Sequence, residues 1–227
     1  PVSQRVPPRQ GVSRITHRGI AAEAAARIQD AIFDGHFPPG APLLEAELAD
    51  SMGISRGSVR EGLAQLEREG IVVTAWHRPS RVIDVTRDDA VELYALRSAL
   101  DLLAASSAAQ ADSHDPIRAA LAELEESSRS GADFRELLRL DLRLHDAIYR
   151  VAGNSRLEQA WRAIRSQVEL FQTRRLLNDV EDYRERLIQE HREIADLISA
   201  GPSERLDACV AAHVSSALTA LVKGLDG

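Results

Sequence analysis

A mainly α chain in two parts is what this sequence predicts: a short three-helix unit closed by a β-hairpin, then an antiparallel all-α helical bundle. Three observations lead there. Alanine and leucine dominate a chain that is 44% hydrophobic but only 4% aromatic, which suits packed helices better than a sheet sandwich. Apolar residues recur at the three- and four-residue spacing of a helix face through most of the sequence, interrupted at Gly, Pro and Asn. Only IVVTA (71–75) and RVIDV (81–85) are β-branched enough for strands, and WHRPS between them makes a hairpin.

The bulk numbers bound the rest. A chain of 227 residues accommodates two domains. The single cysteine, Cys209, excludes an internal disulfide and suits a reducing compartment. No signal-peptide pattern and no run of 18 apolar residues is visible, so a cytoplasmic protein without membrane contact is expected. The net charge of −7 is unevenly spread. Basic and acidic residues number 10 and 10 over residues 1–85, but 18 and 25 over residues 86–227. The acidity of the second part therefore does not speak against nucleic-acid binding by the first.

Residues 1–17 carry three prolines, are basic and show no apolar period, which reads as a flexible arm. Ile20, Ala24, Ile28, Ala31 and Ile32 mark a first helix, ended by Gly35 and FPPG (37–40). A short helix spans Glu45–Met52, with a tight turn at Gly53. Ser55 is a good N-cap for a third helix, in which Val59, Leu63 and Leu66 face inward until Gly70. Helix, helix, turn, helix, hairpin is the order of a winged helix-turn-helix, here assigned residues 18–86. Such a fold lays the start of its last helix in the major groove. Ser55, Arg56, Ser58 and Arg60 on that helix, with Arg78 and Arg81 on the wing, are the expected contacts to double-stranded DNA.

The stretch AIFDGHFPPGAPLLEAELADSMGISRGSVREGLAQLEREGIV resembles the N-terminal domain of GntR-type bacterial transcription regulators, through a SRxxVRExLxxLExxG core. Two departures are Ala46, where a basic residue often precedes Glu-Leu, and a wing without the usual tip glycine. The resemblance implies a homodimer on a pseudo-palindromic operator, usually as a repressor.

Residues 87–227 read as the bundle. Helical stripes cover 88–111, 115–130, 133–151, 155–177, 180–200 and 203–225, separated by Pro116, Gly131, Gly153–Asn154, Asn178 and Gly201–Pro202. Three of these stripes carry polar interruptions. LLRLDLRLHDAI places Asp141 and His145 among Leu137, Leu138, Leu144 and Ile148; His191 lies between Leu187 and Ile194; His213 lies between Val210 and Ala217. A buried imidazole or carboxylate without a partner is costly. One such histidine is usually a hydrogen-bonded core residue, but a divalent metal accounts for all four together, because imidazole and carboxylate are transition-metal ligands. Zinc is the first expectation, with nickel or manganese as alternatives.

LYALRSALDLLAASSAA, DLRLHDAIYRVAGNSRL, EHREIADLI and AHV resemble the FCD effector domain of the FadR-like branch of those regulators. The resemblance implies a metal held by Asp141, His145, His191 and His213, and an effector contact from Arg97. Asp101 stands where the branch usually has glutamate. Arg97 shares its helix's inward stripe, and a buried guanidinium needs an anionic partner, so a small organic acid bound beside the metal is the expected effector. A transcription regulator is thus the leading function. A metal-dependent enzyme is disfavoured, because no histidine has Glu three residues earlier and no motif supplies a general base. A metal sensor remains as the other alternative.

Overall fold

The computed structural model describes residues 17–74, 78–176 and 181–225. Residues 1–16 of the expected arm, Trp76 and His77 of the hairpin turn, and the break at Asn178 lie outside the described residues, while His17, placed in the arm by the sequence, already belongs to the first helix. The first part contains α1 (His17–Phe33), β1 (Pro42–Leu43), α2 (Glu45–Met52), α3 (Arg56–Arg68), β2 (Val72–Val73) and β3 (Ser80–Val82). The second contains α4 (Arg87–Ala108), α5 (Asp115–Arg129), α6 (Phe134–Val151), α7 (Ser155–Leu176), α8 (Glu181–Ala200) and α9 (Glu204–Leu225).

Strand β1 is an addition to the sequence reading, which assigned Pro42 and Leu43 to no element. The sheet runs β1-β3-β2, antiparallel throughout, with Leu43 opposite Ser80 and Val72 opposite Val82. A two-residue strand is too short to show an alternating pattern and forms only because β3 offers it hydrogen bonds. Ile28, Ile32, Leu43, Leu48, Val59, Leu63, Leu66, Ile71 and Val82 fill the core beneath it. Helices α1 and α3 cross closely at Gly62, where a Cβ would sit 3.0 Å from the Ala21 carbonyl oxygen. Any larger residue there would push the α1 backbone away by a few tenths of an ångström.

In the bundle, Thr86 opens α4 with a reciprocal capping box to Asp89, and Asp133 caps α6 through the Glu136 amide. Helix α6 is the central element: Leu137, Leu138, Leu140, Leu142, Leu144, Ala147 and Ile148 are all buried. Helix α4 packs on α9, α6 packs on α4, α5 and α7, and α8 closes the bundle against α5 and α9. Helix α9 is long and apolar enough to cross a membrane by length and composition. Its stripe of Leu206, Val210, Val214, Ala217 and Leu221 is nevertheless buried in the bundle.

The two parts touch along α1, α3, α6 and α7. Arg135 at the start of α6 pairs with Asp30 at 2.9 Å and with Asp34. Ser166 of α7 donates to Glu69 at 3.0 Å and accepts from Gln29 at 3.1 Å. Gly70, in the left-handed region at φ 72°, lies against Gln167 so tightly that a Cβ there would collide with the amide side chain.

Candidate metal centre and nucleic-acid interface

Helix α3 begins where it does because Ser55 accepts a hydrogen bond from the Ser58 amide at 3.1 Å, with Ser55 itself extended. Its buried side is Ser58, Val59, Gly62, Leu63 and Leu66, so Arg56 and Arg60 stand on the outer face one turn apart. Ser58, expected on that outer face, is turned inward. Its hydroxyl lies 2.9 Å from Ser55 Oγ and belongs to the cap. Arg60 is held by Glu45 of α2, Nε donating to one carboxylate oxygen at 2.9 Å and Nη2 to the other at 2.7 Å. Arg78 is exposed on the wing. Arg81, on β3, spends Nη1 on the Gly40 carbonyl at 2.8 Å.

The interrupted stripes of α6, α8 and α9 converge in the bundle. The candidate ligand nitrogens of His145, His191 and His213 all lie within 4.8 Å of one another. Asp141, one turn before His145, reaches the same point: its Oδ1 is 2.7 Å from His191 Nε2 and 3.7 Å from His145 Nε2. Two imidazoles are fixed from behind. His191 Nδ1 is 2.7 Å from the Leu187 carbonyl, and His213 Nδ1 is 2.8 Å from Glu190 Oε2. Both rings therefore present Nε2 inward, as metal-ligating imidazoles held by an outer partner do.

Three features make the cluster chemically suited to a divalent cation. Asp141 Oδ1 is buried and close to His191, yet it has no hydrogen bond of acceptable geometry. An oxygen aimed off the ring's N–H direction suits a shared ligation point better than a direct bond. The donor set of three imidazole nitrogens and a carboxylate is one that zinc, nickel or manganese accepts. The charge also favours a cation. Asp101, Asp141 and Glu190 contact the histidines against Arg97 and Arg186, leaving one negative charge when the imidazoles are neutral.

The electrostatics follow from burial and neighbours. Burial alone would raise Asp141, but the surrounding His191, His145 and His213 hold its carboxyl well below the usual range. Burial and the Arg97 guanidinium push His145 down to about 3. Burial also lowers His213, against the pull of Glu190. His191 goes the other way, because Asp141 outweighs its burial. The unligated cluster thus keeps His145 and His213 neutral and leaves His191 as the imidazole that takes a proton.

Arg97 corrects an expectation. Its anionic partner is Asp101, one turn along α4, with Nε donating at 3.1 Å. Asp101 in turn accepts from Tyr149 Oη at 2.5 Å. Arg97 Nη2 lies 3.2 Å from His145 Nε2, and only Nη1 is without a hydrogen bond. The ion pair needs no external acid to satisfy it. Two cavities flank the cluster, each with room for little more than a water molecule. One is lined by Asp101, His145, Tyr149 and His213, the other by Asp141, Gln172, Arg186, Glu190, His191 and His213. Arg97 lines neither.

Sequence reasoning thus missed Glu190, Tyr149, Gln172 and Arg186, and saw Asp101 only as a variant. Asp101 was open to recognition, being four residues after an inward arginine. Glu190 and Gln172 come from other helices and left no such signal.

The sequence matches the FCD domain over residues 92–216 and the family described as "Bacterial regulatory proteins, gntR family" over residues 20–82. A Paenarthrobacter nicotinovorans protein named "Probable D-xylose utilization operon transcriptional repressor" is 29% identical over 210 residues, covering 91% of each chain. The "Nta operon transcriptional regulator" of Aminobacter aminovorans is 30% identical over 186 residues, covering 79% of this chain and 83% of its own. The crystal structure of a GntR-type transcriptional regulator from Rhodococcus sp. RHA1 superposes with a TM-score of 0.77 at 23% identity, covering 90% of this chain and 98% of that one. E. coli McbR/YncC superposes with a TM-score of 0.73 at 20% identity, covering 90% and 97%. At these identities the two structures establish the fold.

Proposed function

This chain belongs to the gntR family of bacterial regulatory proteins, with an FCD domain following its DNA-binding domain, and from that premise we propose a metal-loaded, metabolite-responsive repressor. It acts in the cytoplasm as a homodimer on a pseudo-palindromic operator. The observation that carries the reading is the convergence of Asp141, His145, His191 and His213 from three helices on one buried point. These four residues would hold one divalent ion, zinc first, with nickel or manganese as alternatives. When bound, the ion supplies a Lewis-acidic position for a ligand oxygen if its coordination number exceeds four.

Other observations supply the remaining parts. Val91, Leu96 and Leu103 are large apolar residues left exposed along α4, a surface suited to a second copy. Ser55, Arg56, Arg60, Arg78 and Arg81 provide the operator contacts, with Ser58 acting through the helix cap. A relative named for D-xylose utilization supports control by a catabolic small molecule. The effector proposed is a small carboxylate. The cavity that Arg186 shares with Asp141 and His213 offers it a cation, and the buried Nη1 of Arg97, outside both cavities, reaches the acid only once side chains move. The tightness of both cavities requires side chains to move as it enters, which is a means of coupling to the DNA-binding part.

One observation favours a second reading. Because Asp101 already neutralises Arg97, the ion itself becomes a candidate signal, and the protein a metal sensor. Calorimetry separates the two, with a panel of mono- and dicarboxylates titrated into zinc-loaded and chelated protein. Binding of an acid only to the loaded protein, weakened in Arg186→Ala or Arg97→Ala, is the expected result. Operator release by metal alone, with no acid binding, selects the sensor. A wild type that purifies without metal and keeps its thermal stability in chelator overturns both.

A further inference from the structure

We infer that Glu45 is a specificity-determining positioning residue, which pre-sets Arg60 to read a guanine in the operator and withholds it from phosphate. The inference rests on the proposed placement of α3 in the major groove. It starts from the edge-on geometry of the pair. Nε and Nη2 of Arg60 face the two oxygens of Glu45 at 2.9 and 2.7 Å, so one edge of the guanidinium is fully used. The other edge, formed by Nη1 and the second hydrogen of Nη2, has no partner among the described residues. Two parallel N–H groups on one edge are what guanine O6 and N7 accept.

The partner is placed to do this. Glu45 is the first residue of α2, fifteen positions before Arg60, so the pair ties the two helices of the DNA-binding unit together across their turn. Arg60 lies on the outer face of α3, its side chain 69% exposed even with the carboxylate attached. Its neighbour on that face, Arg56, has no ion pair among the described residues. The two arginines thus differ in kind. Arg56 acts on Glu45 only through space, with no bond to it among the described residues, and fits a phosphate. Arg60 is half of a neutral pair whose orientation is set before DNA arrives, which lowers the ordering cost of a base contact. A neutralised guanidinium also contributes little counterion release, so it adds discrimination without adding indiscriminate affinity.

The test uses the full-length chain and a randomised double-stranded DNA library, from which wild type, Arg60→Ala, Glu45→Gln and Arg56→Ala each select their preferred sites. Selected and scrambled duplexes are then titrated across salt concentrations. For Arg60→Ala, preference at one symmetry-related guanine falls by roughly tenfold or more. Glu45→Gln shows the same loss at the same position. It also binds scrambled duplex several-fold more tightly, with a salt slope about one unit steeper. Arg56→Ala weakens all duplexes alike. Glu45→Gln with undiminished preference, beside an Arg60→Ala that loses it, overturns the positioning role and leaves base reading by Arg60 intact. An Arg60→Ala that loses no preference overturns the reading of α3 itself. If Glu45→Gln tightens selected and scrambled duplexes equally, the pair only restrains affinity, and the inference is wrong.

Discussion

Two arginine–carboxylate pairs, one in each part of the molecule, carry opposite energetic weight, and the one with the better geometry carries less. Arg60 meets Glu45 at 2.7 Å on the surface, and Arg97 meets Asp101 at 3.1 Å with both side chains at most 4% exposed. Water and salt screen the first pair, and its contribution to stability is small. The second has no water to fall back on. Removing one member leaves a charge stranded in the core, although the intact pair gains little over apolar residues of the same shape. Distance is therefore a poor guide to what a contact does. Surroundings make one pair a recognition device and the other a structural commitment that also touches the histidines.

The comparison breaks first on Asp101. Asp101→Ala is expected to destabilise the protein by about 3–5 kcal/mol in urea denaturation, because Arg97 loses its counter-ion. Asp101→Leu combined with Arg97→Met should recover much of that loss. A single variant costing under about 1 kcal/mol would mean that the buried pair behaves like a surface one.

The next effect concerns metal loading. Elemental analysis of His191→Ala should find no bound divalent ion, and chelator should then leave its melting temperature unchanged. In wild type the same chelator lowers the melting temperature, since an ion bound only to the folded state stabilises it. Metal retained in full by His191→Ala would remove His191 from the ligand set.

A pH titration of the chelated protein sharpens the contrast. His145 is pushed from 6.5 to about 3 in the folded state, so between those values the unfolded chain binds more protons. Stability should therefore fall as pH drops through that window and recover as pH rises. His213, also lowered, adds to the fall, while His191, raised by Asp141, gives stability that is complete below about 6.5 and is lost only as pH rises through its higher folded value. His145→Gln should flatten the profile. An unaltered slope in that variant would assign the acid sensitivity elsewhere.

The smallest effects belong to the surface. Arg135→Ala, which releases Asp30 and Asp34 across the boundary between the parts, should cost no more than about 1 kcal/mol by denaturation. Glu45→Gln should leave the melting temperature where it was and change only DNA selection. A large drop in either variant would mean that these pairs hold the fold together.

The helices, their order and the odd polar residues within them were legible in the sequence because each depends on neighbours three or four residues away. Ser55 capping α3, Thr86 capping α4, and Asp141 with His145 on the apolar face of α6 are local facts, written at helical spacing. The convergence of His145, His191 and His213 could be expected as well, since three costly interruptions in three apolar stripes ask for a common explanation. What only the tertiary structure decided were the partners. Glu190 behind His213, Tyr149 on Asp101, Arg186 and Gln172 beside Asp141, and Glu45 on Arg60 join residues from 15 to 48 positions apart in the chain, on different helices. Helical periodicity says which face a side chain is on, not which residue of another helix stands opposite. Arg97 shows the cost of that gap: its inward direction was legible, but whether a ligand or Asp101 would answer its charge depended on rotamers and packing that no one-dimensional pattern records.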